Sequence, residues 1–222
     1  GNTNIVINNQ PVSFEQQNNY PWDGGLHFSI QPKKANVPFI LKIRIPGWVR
    51  DEAIPSDLYY YNTKLDQKVS IKINGQAYVY SIENGYAVIN RTWNKNDQVV
   101  MELPMDVRKV YASENVKDDI GKVAIQRGPL MYCAEWPDNE GRVSNMVLPD
   151  NSVFTSQFNP TLLNGVTTLS TSAQKIEVLN NQVKTVQKPL VLIPYYAWAN
   201  RGKGEMSVWF NEQLKDIDII TK

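Results

Sequence analysis

Apolar residues in this chain recur at every second position and almost nowhere at the three-and-four spacing of a helix. Leu26, Phe28 and Ile30 alternate with His27 and Ser29, and Phe39, Leu41, Ile43 and Ile45 line one face of a run whose Lys42 and Arg44 point the other way. Side chains alternate across a strand with period two, so each run reads as a half-buried β-strand. The sharpest local signal is Asn74-Gly75, set between β-rich runs that together cover 69–82. A type I′ hairpin turn needs positive φ at both central residues, and Asn-Gly supplies them. A two-residue loop there sets Ile73 opposite Gln76, Ile71 opposite Tyr78 and Val69 opposite Tyr80. Aliphatic–aromatic pairs then share one face and hold the register. A second turn at Asn84-Gly85 leads into 86–90, and the run 98–103 puts Val99, Met101 and Leu103 on one side. No amphipathic helical stretch exceeds about two turns.

Pro104 closes this first set and predicts a boundary near 104–108, giving domains 1–106 and 107–222. The second half follows the same pattern, and 123–126, 130–136, 166–172, 189–193 and 205–210 all read as strands. Strands at short spacing with no alternating helices predict an all-β chain of two tandem antiparallel β-sandwich, jelly-roll-like domains. Thirteen prolines and twelve glycines, scattered rather than clustered, suit many short strands and turns. Segment 49–67, with Tyr59, Tyr60 and Tyr61 in succession, reads as a long surface excursion, and 137–149 as a loop.

Several chemistries are excluded or left without support. Lys plus Arg number 23 against 22 for Asp plus Glu, so no basic footprint for nucleic acid or anionic lipid exists. The longest apolar runs are strand-length, so no membrane span is expected. The polar opening Gly1-Asn2-Thr3-Asn4 carries no targeting segment, and the leading Gly reads as a cloning remnant on an excised fragment. One cysteine, Cys133, rules out an intrachain disulfide, and with one histidine, His27, a tetrahedral Cys/His zinc site is nearly excluded. Cys133 reads as a small residue on a strand and His27 as a solvated residue on a polar strand face. A glycosidase acid/base pair needs two carboxylates about 5–10 Å apart. Asp51-Glu52, Asp118-Asp119 and Asp138-Asn139-Glu140 all fall in exposed-looking turns, and none is selected. The last supplies oxygens without the alternating spacing of a calcium loop. Six Trp and eleven Tyr offer platforms on which sugar rings can stack. Trp93 and Trp209 read as core; Trp22, Trp48 and Trp198 lie beside turn formers and can cap a sandwich end, contact another domain or hold a sugar.

Seven phrases in order resemble one family: Tyr20-Pro-Trp-Asp-Gly24; Arg44-Ile-Pro-Gly-Trp48; Asn84-Gly-Tyr86; Arg91-Thr-Trp93 with Asp97; Leu103-Pro-Met105; Val123-Ala-Ile-Gln-Arg-Gly-Pro-Leu-Met-Tyr-Cys-Ala-Glu135 with Asp138-Asn139; and Ile193-Pro-Tyr-Tyr-Ala-Trp-Ala-Asn-Arg-Gly202 with Met206-Ser-Val-Trp209. They are similar to the C-terminal part of the β-L-arabinofuranosidase-like glycoside hydrolases, family 127 and relatives, formerly a domain of unknown function. The resemblance implies two β-sandwiches that follow an (α/α)6 catalytic barrel in the same parent chain. It implies a zinc–cysteine site and an acid/base glutamate in that barrel only, so no catalytic residue, metal ligand or cofactor is expected here; Cys133 matches a sandwich-strand motif. The stretch 51–68 resembles an insertion of gut Bacteroidetes-type members, which implies a periplasmic or secreted parent acting on arabinose-containing plant glycans. The role then expected is a noncatalytic accessory region that packs against the barrel and shapes its cleft. Trp22, Trp48, Tyr195, Trp198, Asn200 and Arg201 are the candidate domain-interface or sugar-contact residues. The rival readings are a carbohydrate-binding module that contacts plant oligosaccharide through an exposed aromatic platform, and a self-sufficient hydrolase.

Overall fold

The computed structural model describes residues 1–180 and 182–214, so residues 215–222 of the expected second domain lie outside the described residues. Its helical elements there are short 3-10 turns, and the rest of the regular structure is strand. The chain divides into two compact units, Gly1–Glu52 with Lys64–Asp106, and Ala53–Thr63 with the chain from Val107 on.

The first strands are β1 (Asn2–Ile7), β2 (Gln10–Asn18), β3 (Gly25–Pro32), β4 (Val37–Arg44), β5 (Tyr59–Tyr60), β6 (Ser70–Ile73), β7 (Gln76–Ala77), β8 (Ser81–Glu83), β9 (Tyr86–Trp93) and β10 (Asp97–Glu102). All but β5 belong to the first unit, a sandwich of a six-stranded sheet in the order β1-β2-β3-β10-β6-β7 and a three-stranded sheet β4-β9-β8. Its core joins Val12, Leu26, Ile30, Ile71, Ile73, Val99 and Met101 from the larger sheet to Ile43, Ala87, Ile89 and Trp93 from the smaller. Burying each large aliphatic side chain contributes roughly 1.5–3 kcal/mol. The fully buried Trp93 donates its indole N–H to the Phe39 carbonyl at 3.0 Å and stacks on the Phe39 ring, so its polar atom is satisfied.

The Asn74-Gly75 turn has φ 51° and 81°, and Ile73 faces Gln76 as turn chemistry requires. The register continues past the short β7: the Tyr78 N–H donates to the Ile71 carbonyl at 2.9 Å, and the Tyr80 hydroxyl to the Val69 carbonyl at 2.8 Å. Strands β1 and β2, absent from the sequence reading, are joined by Asn8-Asn9, which has the same pair of positive φ angles. β1 is exposed along nearly its whole length, so it has no buried face to imprint alternation on the sequence.

The second unit holds β11 (Val107–Ala112), β12 (Lys122–Arg127), β13 (Leu130–Glu135), β14 (Met146–Val147), β15 (Thr155–Asn159), β16 (Val166–Leu179), β17 (Gln182–Pro194), β18 (Met206–Ser207) and β19 (Trp209–Asn211). Pairing runs β13-β17-β16-β14-β19-β12, and β12 pairs back onto β13, so the layers are hydrogen-bonded into a closed ring. β11 and then β5 extend it from β12, while β18 lies against β13 and β15 against β16. Val123, Ile125, Tyr132, Leu169, Leu190, Leu192 and Phe210 fill the interior.

Three segments differ from their sequence reading. Ala53–Thr63, expected within a surface excursion, belongs to the second unit. There Tyr59 stacks on Trp209 and Tyr60 on Tyr111, while the Tyr61 hydroxyl donates to Gln126 Oε1 at 2.7 Å. The Tyr61 ring lies 3.5 Å below the Arg108 guanidinium carbon. Tyrosine joins a large apolar ring to a hydroxyl, and these rings are how an otherwise polar excursion docks. The expected loop 137–149 buries Val143, Met146, Val147 and Leu148. The run 205–210 is broken at Val208, because β18 pairs with β13 whereas β19 pairs with β12.

Candidate functional site

The second unit carries a groove of about 440 Å³ whose lining includes Ile54, Tyr59, Met131, Tyr195, Val208 and Trp209. Tyr59 reaches it from edge strand β5, its ring stacked on Trp209 at 5.6 Å and its hydroxyl donating to Asp119 Oδ2 at 3.3 Å. Met131 comes from β13, and Val208 from the break between β18 and β19. Tyr195 opens the 3-10 turn Tyr195–Ala197 that follows β17. Its ring lies 6.2 Å from that of Trp198 with 11° between the planes, and the two are 44% and 43% exposed. The two rings thus extend the apolar groove as an exposed apolar patch.

The loop that presents them is held from below. Ala199 takes φ 67° and donates its N–H to Glu135 Oε1 at 2.9 Å. Arg201 donates to Glu135 Oε2 through Nε at 3.0 Å and Nη2 at 2.6 Å, and to both Asp138 oxygens at 2.9 and 2.5 Å. The Glu135 carboxylate is 2% exposed, so its charge is stabilised by this guanidinium and the Ala199 amide rather than by water. Hydrogen bonds to Asp138 head the causes that raise the Arg201 pKa further above its ordinary value. Asn200 Nδ2 donates to the carbonyls of Ala197 and Trp198. A Cβ at Gly204 would lie 2.0 Å from Trp136 Cδ1, so only glycine lets the chain cross that indole. At the next residue, burial alone would raise the Glu205 carboxyl, but N–H donors from Ser144 and Val143, the Ser144 hydroxyl and Arg142 lower it to about 2.

Tyr195, Trp198, Asn200 and Arg201 thus come together on one loop, the rings outward and the polar pair consumed in holding it. Trp22 and Trp48 lie in the first unit: both are half-buried, and Trp48 packs on the core from the 3-10 turn Gly47–Arg50. Sequence reasoning missed Tyr59, Met131 and the Glu135–Arg201–Asp138 clasp; the tyrosine run was the one available signal.

Cys133 is fully buried on β13, and burial, with Glu135 acting in the same direction, pushes its thiol up to about 12. It is protonated at neutral pH and fits neither a nucleophile nor a metal ligand. The neighbouring carboxylates Glu135 and Asp138 are both engaged by Arg201, and His27 lies in the other unit, so these residues do not fit a zinc site. Asp138, Asn139 and Glu140 diverge: Asn139 pins the Val191 backbone, and Glu140 pairs with Lys175 and Lys188. Among the described residues no three His, Cys, Asp or Glu side chains gather as metal ligands.

Comparison with known proteins places these features. Residues 1–105 match the sequence model described as the β-L-arabinofuranosidase, GH127 middle domain, and 107–211 match that of the glycoside hydrolase family 127 C-terminal domain. The chain is 32% identical over 213 residues to a non-reducing end β-L-arabinofuranosidase of Bifidobacterium longum subsp. longum, covering 89% of this chain and 30% of that protein. A solved GH127 β-arabinofuranosidase superposes with a TM-score of 0.90 at 37% identity, over 96% of this chain and 34% of that one. The GH127 β-L-arabinofuranosidase of Geobacillus stearothermophilus T6 gives 0.82 at 34% identity, over 96% and 32%. The chain spans about a third of the length of each relative.

Proposed function

Since this chain belongs to glycoside hydrolase family 127, as its middle and C-terminal β-sandwich part, we propose that it serves as a noncatalytic accessory region packed against the remainder of a longer enzyme. The partner is a helical catalytic barrel of the same parent, and that barrel holds the zinc–cysteine site. The parent is a periplasmic or secreted β-L-arabinofuranosidase-like enzyme acting on arabinose-containing plant glycans. The observation that carries the reading is the apolar groove lined by Tyr59, Met131, Tyr195, Val208 and Trp209, with Trp198 stacked on Tyr195. Covering it removes apolar surface from water, and the clasped loop loses little conformational freedom when it is covered. A sugar-binding role draws on the near-parallel Tyr195 and Trp198 rings. The lining offers a sugar few free hydrogen-bond partners, since Gln126 is engaged by Tyr61 and by the Gly128 carbonyl, and this favours a protein surface.

The substitution Val208→Glu separates the readings. Val208 is half-buried in this chain, so the charge should leave the thermal midpoint of the chain alone nearly unchanged. In the full-length protein it should lower the midpoint clearly, because a carboxylate would be buried under the barrel. An unchanged full-length midpoint means that nothing covers the groove.

A further inference from the structure

The first unit carries a polar cleft of its own, apart from the groove on which the accessory reading rests, and we propose that it binds a neutral saccharide through its hydroxyl groups. The cleft encloses about 530 Å³. It lies on the outer face of the six-stranded sheet: Leu26, Val99 and Met101 point into the core, so by alternation His27 and Glu102 point out. Gln17 on β2 sits directly across from His27, and Glu102 on β10 directly across from Gly25. Asn18, Asn19 and Asp23 also line it.

Gly25 creates a notch at its centre. A Cβ there would stand 3.6 Å from Asp23 Oδ1 and 3.6 Å from both Glu102 oxygens, so two carboxylates flank bare backbone. Asp23 is held in place by the Gly25 N–H at 3.1 Å. The side chains of His27, Glu102 and Asn19 have no hydrogen bond or ion pair to another of the described residues. The cleft thus presents two carboxylates, the Asn19 amide and an imidazole to a ligand, while Gln17 Nε2 already donates to Glu15 and Asn18 Oδ1 accepts the Tyr20 N–H.

This chemistry selects among ligand classes. An anion would meet two carboxylates, and an apolar ligand would find no apolar wall. A divalent cation needs converging oxygens or nitrogens, and no such group of His, Cys, Asp or Glu forms among the described residues. A sugar hydroxyl both donates and accepts, so mixed planar groups satisfy adjacent hydroxyls in pairs. With no Trp, Tyr or Phe ring in the lining for a sugar to stack on, affinity should be weak, with a dissociation constant on the order of 1 mM.

The single histidine makes the test direct, because the imidazole Cε1–H gives one isolated proton NMR signal. The whole chain is titrated with methyl β-L-arabinofuranoside, methyl β-D-galactopyranoside and, separately, calcium chloride. A saturable shift of the His27 signal with either sugar is expected. Gly25→Ala fills the notch at ordinary contact distances and keeps the fold; it and Glu102→Ala should each weaken binding about fivefold or more, the worth of one hydrogen-bonded contact. No saturable shift with either sugar overturns the proposal, as does undiminished binding in Gly25→Ala, or a response to calcium alone. Each of these failures leaves the accessory reading standing, since Val208→Glu probes the other unit.

Discussion

At the scale of single residues, the clasp of Arg201 on Glu135 and Asp138 decides whether the aromatic loop is rigid. Two carboxylates share one guanidinium, and the planar fork of arginine meets both through paired donors. Arg201→Ala would leave the buried Glu135 carboxyl without its guanidinium partner, held only by the Ala199 N–H. The expected loss is about 3–5 kcal/mol, read as a lower urea midpoint. Arg201→Lys should recover only part of it, because an ammonium cannot span both carboxylates in the same plane. Equal stability of wild type and Arg201→Ala would mean that water reaches Glu135. The loop's exposed rings owe their fixed placement to this clasp, and that links stability to the geometry of the exposed patch.

At the scale of elements, turns set which residues face each other. Asn74 adds side-chain bonds to its turn geometry: Nδ2 donates to Asp97 Oδ1, and Oδ1 accepts the Gln98 N–H, each at 2.8 Å. The hairpin is thereby tied to β10, whose other edge carries β3 and the saccharide cleft. Gly75 has φ 81° and open space where a Cβ would stand, so Gly75→Ala isolates the backbone cost. A loss of about 1–2 kcal/mol is expected in chemical denaturation, with the slope against denaturant unchanged. No loss would show that the turn relaxes to another type. The Tyr59–Tyr60 strand makes the converse point: only two residues pair with β11, and ring stacking on Trp209 and Tyr111 supplies what so short a ladder lacks.

At the scale of the whole molecule, two cores of separate composition underlie different surfaces, an amide- and carboxylate-lined cleft on the first unit and an apolar, partly aromatic groove on the second. Cys133 is buried and protonated, and the chain spans about a third of the length of its relatives. On the accessory reading proposed above, this chain alone should leave an aryl β-L-arabinofuranoside intact, while the full-length protein should turn it over. Turnover by the chain alone would overturn the noncatalytic reading and direct attention to its carboxylates.

The sequence by itself determined what local rules govern. Period-two alternation marked β3, β4 and β10, Asn74-Gly75 set the register from Ile73–Gln76 out to Tyr80, and the ordered motifs identified the family. Tyr195, Trp198, Asn200 and Arg201 were also legible as one stretch of interest. Their division of labour was not, because the partners of Arg201 lie 63 and 66 residues away and leave no periodic trace. Tertiary structure alone decided that β12 closes back on β13, that 205–210 breaks between two partners, and that Tyr59, Tyr60 and Tyr61 dock on the second unit. It also gathered Gly25, Asp23, His27 and Glu102 into one cleft. The physical reason is common to all of these: alternation reports whether a side chain is buried, whereas strand pairing and charge pairing depend on which distant segment does the burying.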